Sequence, residues 1–166
     1  MTKKQDSQEK EKQQSELQEK VLYINRCAKV VKGGRKFSFS ALILVGNGKG
    51  KVGYGFAKAN ELTEAIHKGG EAAKKNLITF STHGTTIPHE ITVDYDGARI
   101  LFRPAPPGAG VIAGSKVRAV LEMAGIKDIM AKSLKGNNPI NLVKAVFKAL
   151  SLLRTREEIQ ASRGQS

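Results

Sequence analysis

Between Glu19 and Glu61 the chain carries nine cationic side chains and no carboxylate: Lys20, Arg26, Lys29, Lys32, Arg35, Lys36, Lys49, Lys51 and Lys58. An ordinary solvated surface mixes the two signs. A stretch of one sign suits a polyanion, because each neutralised phosphate releases counterions and makes affinity fall steeply with salt. Two glycine clusters punctuate the stretch. Lys32-Gly33-Gly34-Arg35-Lys36 reads as a hairpin tip whose glycines permit positive φ and a close backbone approach to a ligand, with bases on both sides to hold phosphates. A plain flexible turn would use the same glycines.

The second cluster runs from Gly46 to Gly55, and Gly48, Gly50 and Gly53 match the spacing G-x-G-x-x-G. That spacing binds a dinucleotide only where a helix follows and points its N-terminus at the pyrophosphate. Here the following residues alternate as a strand, and no Lys-Ser or Lys-Thr pair of the P-loop kind occurs. A glycine hairpin that lets RNA lie close fits better. A third anion foothold is Pro106 to Ser115, a Pro/Gly loop running into a helix just before Lys116. Some small-molecule kinases carry such a loop. The nearby acids, Asp94, Asp96, Glu122 and Asp128, show no paired spacing to hold magnesium. His67, His83 and His89 have no metal spacing, and Cys27 is alone, which suits a small buried hydrophobe in a reducing compartment. No cofactor, metal, catalytic residue or small-molecule substrate is expected.

The elements that must position these residues follow from periodicity. Residues 1–15 have almost no apolar side chains and read as a disordered tail. Ser15 and Gln18 resemble a capping box that would start a short helix. Val21 to Val31, Phe37 to Val45 and the stretch around Val52 to Phe56 read as three antiparallel strands, with Asn47-Gly48 as a hairpin turn. Asn60 would cap a helix running from Glu61 to about Leu77, with Leu62, Ala65, Ile66, Gly69 and Ala73 on one face. His83 to Thr86 could join two domains. Beyond it the order reads β-β-α-β-α: a hairpin at Asp96-Gly97, a helix capped by Ser115 and ended by Gly125, a strand from Ile126 to Leu134, and a helix opened by Asn138-Pro139. The expected class is α+β, with domains at 16–80 and 85–154 and a polar tail at 155–166.

Composition sets the outer bounds. The chain has 166 residues, with 28 basic and 15 acidic side chains for a net charge of +13. Up to Lys20 bases and acids balance, so the excess lies on the part expected to fold. With 40% apolar residues, each of two small domains would have a thin core. No apolar run approaches the ~18 residues that span a bilayer, so no membrane insertion is expected.

Taken together, these motifs resemble one family. Glu16-Leu17-Gln18-Glu19-Lys20, Asn25-Arg26, Val31-Lys32-Gly33-Gly34-Arg35, Phe37-Ser38-Phe39, Gly53-Tyr54-Gly55, Ala113-Gly114-Ser115, Arg118-Ala119-Val120-Leu121-Glu122 and Asn138-Pro139-Ile140-Asn141 look like bacterial small ribosomal subunit protein five. The resemblance runs from about Leu17 to Gly164. It implies a first domain similar to a double-stranded-RNA-binding domain, a three-strand antiparallel sheet plus a helix. A second α+β domain with a βαβα unit, related in outline to small-molecule kinases, would follow. It further implies a cytoplasmic, structural protein of the small subunit that binds 16S-type rRNA and packs on small-subunit proteins four and eight. Such a protein helps hold head relative to body, lies along the channel through which mRNA enters, and influences decoding accuracy. The rRNA-binding residues expected are Arg26, Lys29, Lys32, Gly33, Gly34, Arg35, Lys36, Asn47, Lys49, Lys51, Lys58 and Lys116. Relatives of this kind often continue beyond the position of Arg163-Gly164.

Overall fold

A computed structural model of the chain describes residues 17–164. The tail expected at residues 1–15, and the Ser15 half of the expected capping box, lie outside the described residues. Gln18 opens no helix. It begins a long strand, β1 (Gln18–Val31), paired antiparallel with β2 (Gly34–Gly46). The charged residues at the start of β1 point to alternate faces. Glu19 meets Lys74 at 2.8 Å on one face and Lys20 meets Glu122 at 3.3 Å on the other, the alternation of a strand.

β3 (Lys51–Ala59) continues the meander, and a short β4 (Leu77–Thr79) adds a fourth strand, so the sheet order is β1-β2-β3-β4. Between β3 and β4 runs α1 (Leu62–Lys75). Its cap is Glu61, not Asn60, and it stops before Leu77. Leu77 instead pairs with Gly53 in the sheet, where an edge strand satisfies its backbone. The helix lies very close to the sheet because small residues face each other: Ala65, Gly69 and Ala73 are buried on α1. A Cβ placed on Gly53 or Gly55 would collide with the carbonyl oxygens of Ala73 and Gly69 respectively.

The register of β1 on β2 slips once. Val21 pairs with Ile43 and Tyr23 with Leu42, leaving Leu22 as an extra residue. A β-bulge of this kind bends the strand and moves every later side chain to the opposite face.

The second sheet contains β5 (Ile91–Tyr95), β6 (Ala98–Pro104), β7 (Val111–Ile112) and β8 (Ile129–Lys135), in the order β5-β6-β8-β7. β5 and β6 turn at Asp96 (φ 45°) and Gly97 (φ 81°), the two positive values a tight hairpin needs. The short β7 forms inside the Pro/Gly loop and runs parallel to β8. α2 (Ser115–Ala124) is capped by Gly114, with Ser115 its first turn rather than its cap, and closes at Gly125 in the left-handed conformation. α3 (Pro139–Leu152) starts as its sequence suggests: the Asn138 side-chain oxygen accepts from the Ile140 N–H at 3.1 Å. The polar stretch after Thr155 is no extended tail. It forms α4 (Arg156–Ser162), whose Thr155 and Glu158 make a reciprocal capping box, enough to start an exposed helix that buries none of its residues.

The core is not two thin ones. A small cluster of Ala41, Ile43, Val45, Ala65 and Ala73 lies between β2 and α1. The large cluster joins Leu42, Leu44 and Val52 of the first sheet to Phe102, Val120, Ile129, Val146 and Leu150 of the second unit. β2 from Ser40 to Gly46 is therefore buried on both faces, which is why it reads as a continuous apolar run.

Candidate nucleic-acid interface

Beyond this doubly covered zone β1 and β2 continue alone. Every residue from Tyr23 to Phe37 is exposed, and beyond Phe39, the last β2 residue that β3 pairs, the two strands form a ribbon ending in the turn at Lys32-Gly33. Gly33 (φ 102°) and Gly34 (φ 152°) hold the turn with nothing within 4 Å of the Cβ that either lacks. The backbone at the tip is thus open to a partner.

Register assigns the ribbon's side chains to faces. Val30 lies opposite Arg35, Ala28 opposite Phe37, Arg26 opposite Phe39 and Ile24 opposite Ala41. This face continues onto the side of the sheet covered by α1. On the other face Lys29 lies directly opposite Lys36, Cys27 opposite Ser38 and Asn25 opposite Ser40, which in turn pairs with Lys58 of β3. Lys29, Lys36 and Lys58 therefore share one face, and Arg26 and Arg35 the other. Lys116, at the start of α2, belongs to the lysine side: its ammonium lies 5.8 Å from the Tyr23 ring and donates to the Asn137 carbonyl at 3.1 Å. It also lines a cavity of about 300 Å³ with Gly114, Ser115, Lys132 and Ser133. Cys27 is exposed, contrary to the buried hydrophobe expected, because the ribbon has no layer over either face.

The structure does not bring the whole expected set together. The second hairpin turns at the other end of β2, about 40 Å away at ~3.3 Å per residue. Asn47 shapes that loop from within, its side-chain oxygen accepting from the N–H groups of Lys49 (2.8 Å) and Lys51 (3.0 Å). The Gly48 N–H donates to the Met123 carbonyl at 3.1 Å and the Gly50 N–H to that of Ala124 at 2.9 Å. A Cβ on Gly46 would strike the Met123 carbonyl. Gly46 of this hairpin admits the end of α2, and Gly53 and Gly55 admit α1, whereas the missing Cβ of Gly48 at the turn has nothing within 4 Å. Asn47, Lys49 and Lys51 form a separate basic loop at the end of α2.

The loop at Pro106 to Gly110 is likewise satisfied internally. The buried Asp128 carboxylate accepts from the Gly108 N–H at 3.0 Å and the Gly110 N–H at 2.9 Å. The Thr85 hydroxyl, followed by these amides, holds its carboxyl below the usual carboxylate range. The amides that a phosphate would need are occupied by this carboxylate. Among the described residues no group of three or more His, Cys, Asp or Glu comes together to hold a metal. No described helix is long and apolar enough to cross a membrane.

Comparison with known proteins decides the family. Residues 17–81 match the model of the ribosomal protein S5 N-terminal domain, and residues 93–163 that of the ribosomal protein S5 C-terminal domain. Small ribosomal subunit protein uS5 of Protochlamydia amoebophila is 72% identical over 156 residues, covering 94% of this chain and 93% of that one. The uS5 proteins of Chlamydia abortus (66% over 151 residues) and Chlamydia trachomatis (62% over 151 residues) each cover 90% of this chain and 92% of their own.

The chain belongs to the ribosomal protein S5 family. The two-part α+β layout is that of the family's N- and C-terminal domains. The family is structural and RNA-binding, not enzymatic, and the kinase-like loop in this S5 protein has a structural occupant in Asp128. Two features of the interface escaped sequence reasoning. One is Phe37 as the neighbour of Arg26, whose guanidinium carbon lies 3.7 Å from the ring centroid. The other is the separation of lysine and arginine faces. Counting outward from the Gly33-Gly34 turn, with Val31 opposite Gly34, would have found both.

Proposed function

We propose that this S5 protein is a structural constituent of the small ribosomal subunit in the cytoplasm, and that it binds 16S-type rRNA chiefly through the β1–β2 ribbon. The observation that carries the reading is the Lys29–Lys36 pair. Directly opposed side chains in an antiparallel pair have Cβ atoms about 4.5–5.5 Å apart, and like charges there repel. No carboxylate stands within the ribbon to relieve them. A phosphate between the two ammonium groups turns the repulsion into attraction, and Lys32 at the tip and Lys58 at the base extend the same track. Asn47, Lys49, Lys51 and Lys116 serve as secondary rRNA contacts on the body of the protein, while Gly33 and Gly34 leave the tip backbone accessible.

The ribbon's reach beyond the folded body supports a bridging role, in which the tip contacts one part of the subunit while the body sits on another. Head would then be held relative to body, with small-subunit proteins four and eight as protein neighbours. The mRNA would pass nearby where it enters. Decoding accuracy is affected because contacts of this kind favour one conformation of the subunit over another.

The first test is salt dependence. Lys29→Ala with Lys36→Ala should weaken binding to 16S rRNA and make the log–log salt slope shallower by roughly 1.4 to 1.8, since each lost phosphate contact contributes about 0.7–0.9. An unchanged slope would exclude the ribbon as the phosphate-binding element. Co-sedimentation of tagged protein with small subunits tests assembly. Stop-codon readthrough by subunits carrying Lys32→Ala and Arg35→Ala tests accuracy, and readthrough identical to wild type would remove that part of the reading.

A further inference from the structure

We propose that the ribbon face bearing Arg26 and Phe37 is a stacking platform for a single unpaired RNA base, distinct from the lysine face that takes phosphates. The proposal rests on the RNA-binding reading above and adds the chemistry of a second contact. Arg26 lies opposite Phe39 and Phe37 opposite Ala28, so Arg26 and Phe37 are diagonal neighbours, within reach for a long side chain. The 3.7 Å separation is contact distance, and the ring's quadrupole holds the cation there. No carboxylate pairs with Arg26 among the described residues.

The surroundings argue for a flat, electron-rich ligand. Phe37 is 41% exposed, Val30 77% and Ile24 41%, and neither Phe37, Val30 nor Ile24 joins either core cluster. On this face Phe37 lies between Arg26 and Arg35, Val30 stands directly opposite Arg35 and Ile24 lies one rung beyond Arg26, on a ribbon whose other face carries lysines and no arginine. Arginine's planar cation stacks; lysine's compact ammonium does not. A phosphate would use the charge but waste the ring. An apolar protein surface would use the ring but strip water from two unpaired cations, at a cost nothing offsets. A nucleobase uses both. In a duplex the bases are stacked inside, so the ligand must be a bulged or looped base.

The experiment uses the full chain and two RNA hairpins that differ by one bulged 2-aminopurine. Wild type should bind the bulged hairpin about tenfold more tightly, equivalent to about 1.4 kcal/mol, with quenching of the 2-aminopurine fluorescence. Arg26→Lys keeps the charge and Phe37→Leu keeps an apolar strand residue. Each should abolish the preference and the quenching while leaving the salt slope on the plain hairpin unchanged. Lys29→Ala with Lys36→Ala should weaken both hairpins equally and leave the preference intact. A preference that survives both Arg26→Lys and Phe37→Leu would overturn the proposal, as would equal binding of the two hairpins by wild type. A loss of co-sedimentation in those variants with an unaltered RNA preference would assign the face to a protein neighbour and equally overturn it. Failure of wild type to bind either hairpin would bring down the RNA-binding reading itself.

Discussion

At the scale of single residues, Asp128 is held by the Gly108 and Gly110 amides and by Thr85. It is buried, and its carboxyl is held low by the Thr85 hydroxyl and the Gly110 and Gly108 amides. A carboxyl whose folded value lies below its unfolded one stabilises the fold above the unfolded value, and that stability is lost as pH falls through the folded value. Asp128→Asn should therefore lower Tm at neutral pH, and the gap to wild type should close as pH falls below the usual carboxylate range. A gap that persists unchanged into acid would contradict an ionised Asp128. The Asp94–Arg99 pair is the contrast. Its carboxyl is also held low, first by the hydrogen bond from Arg99, but both side chains are exposed. Asp94→Asn should shift Tm little, because solvent and salt screen such pairs. Asp128's task was illegible in the sequence. Its amide partners lie 18 and 20 positions away and Thr85 farther still, and a scattered acid looks the same whether it is solvated or pins a loop.

At the scale of elements, the glycines of β3 decide how near α1 can come. Gly55→Ala places a methyl against the Gly69 carbonyl of the helix, a backbone atom that cannot rotate away. Over-packing of this sort costs about 1–3 kcal/mol, and a urea melt of the variant should show a loss in that range with native-like circular dichroism. A melt indistinguishable from wild type would mean that the helix stands farther off. Here the sequence was legible in its strands and silent on which glycines a helix occupies. The glycine-rich stretch announces close approach by something, but glycine carries the same signal whether RNA or a helix comes near. The first strand misled in another way, since Ser15 and Gln18 have the residue types of a helix cap. The pairing of Gln18 with Gly46 is a long-range contact that local patterning cannot register.

At the scale of the whole molecule, β2 is the shared wall of both core clusters. Leu42 and Leu44 look one way and Ile43 and Val45 the other, so the two halves matched by the separate family models are not thermally independent. Calorimetry should show one cooperative transition, with equal calorimetric and van't Hoff enthalpies. Leu44→Ala, at a side chain with no exposure, should destabilise by about 2–5 kcal/mol and lower that single transition without splitting it. Two separated transitions in wild type would show that the halves unfold apart. The class and order of the elements could be read from periodicity and turns. The joint core could not, because an apolar run such as Ala41 to Val45 does not disclose that its two sides face different partners.

The extra residue at Leu22 fixes more than a bend. Leu22 packs against the large core, upstream of every ribbon residue, and the strand's parity changes there. Were the strands to pair without the bulge, Leu22 would stand opposite Leu42 and Tyr23 opposite Ala41, so Arg26 would pass to the α2 side beside Ser38 and Lys29 to the α1 side beside Arg35. The charge, length and composition of the ribbon would not alter. Yet its two inscriptions would be scrambled into each other, and a binding site on a rigid ribosome has no means of sorting them out again.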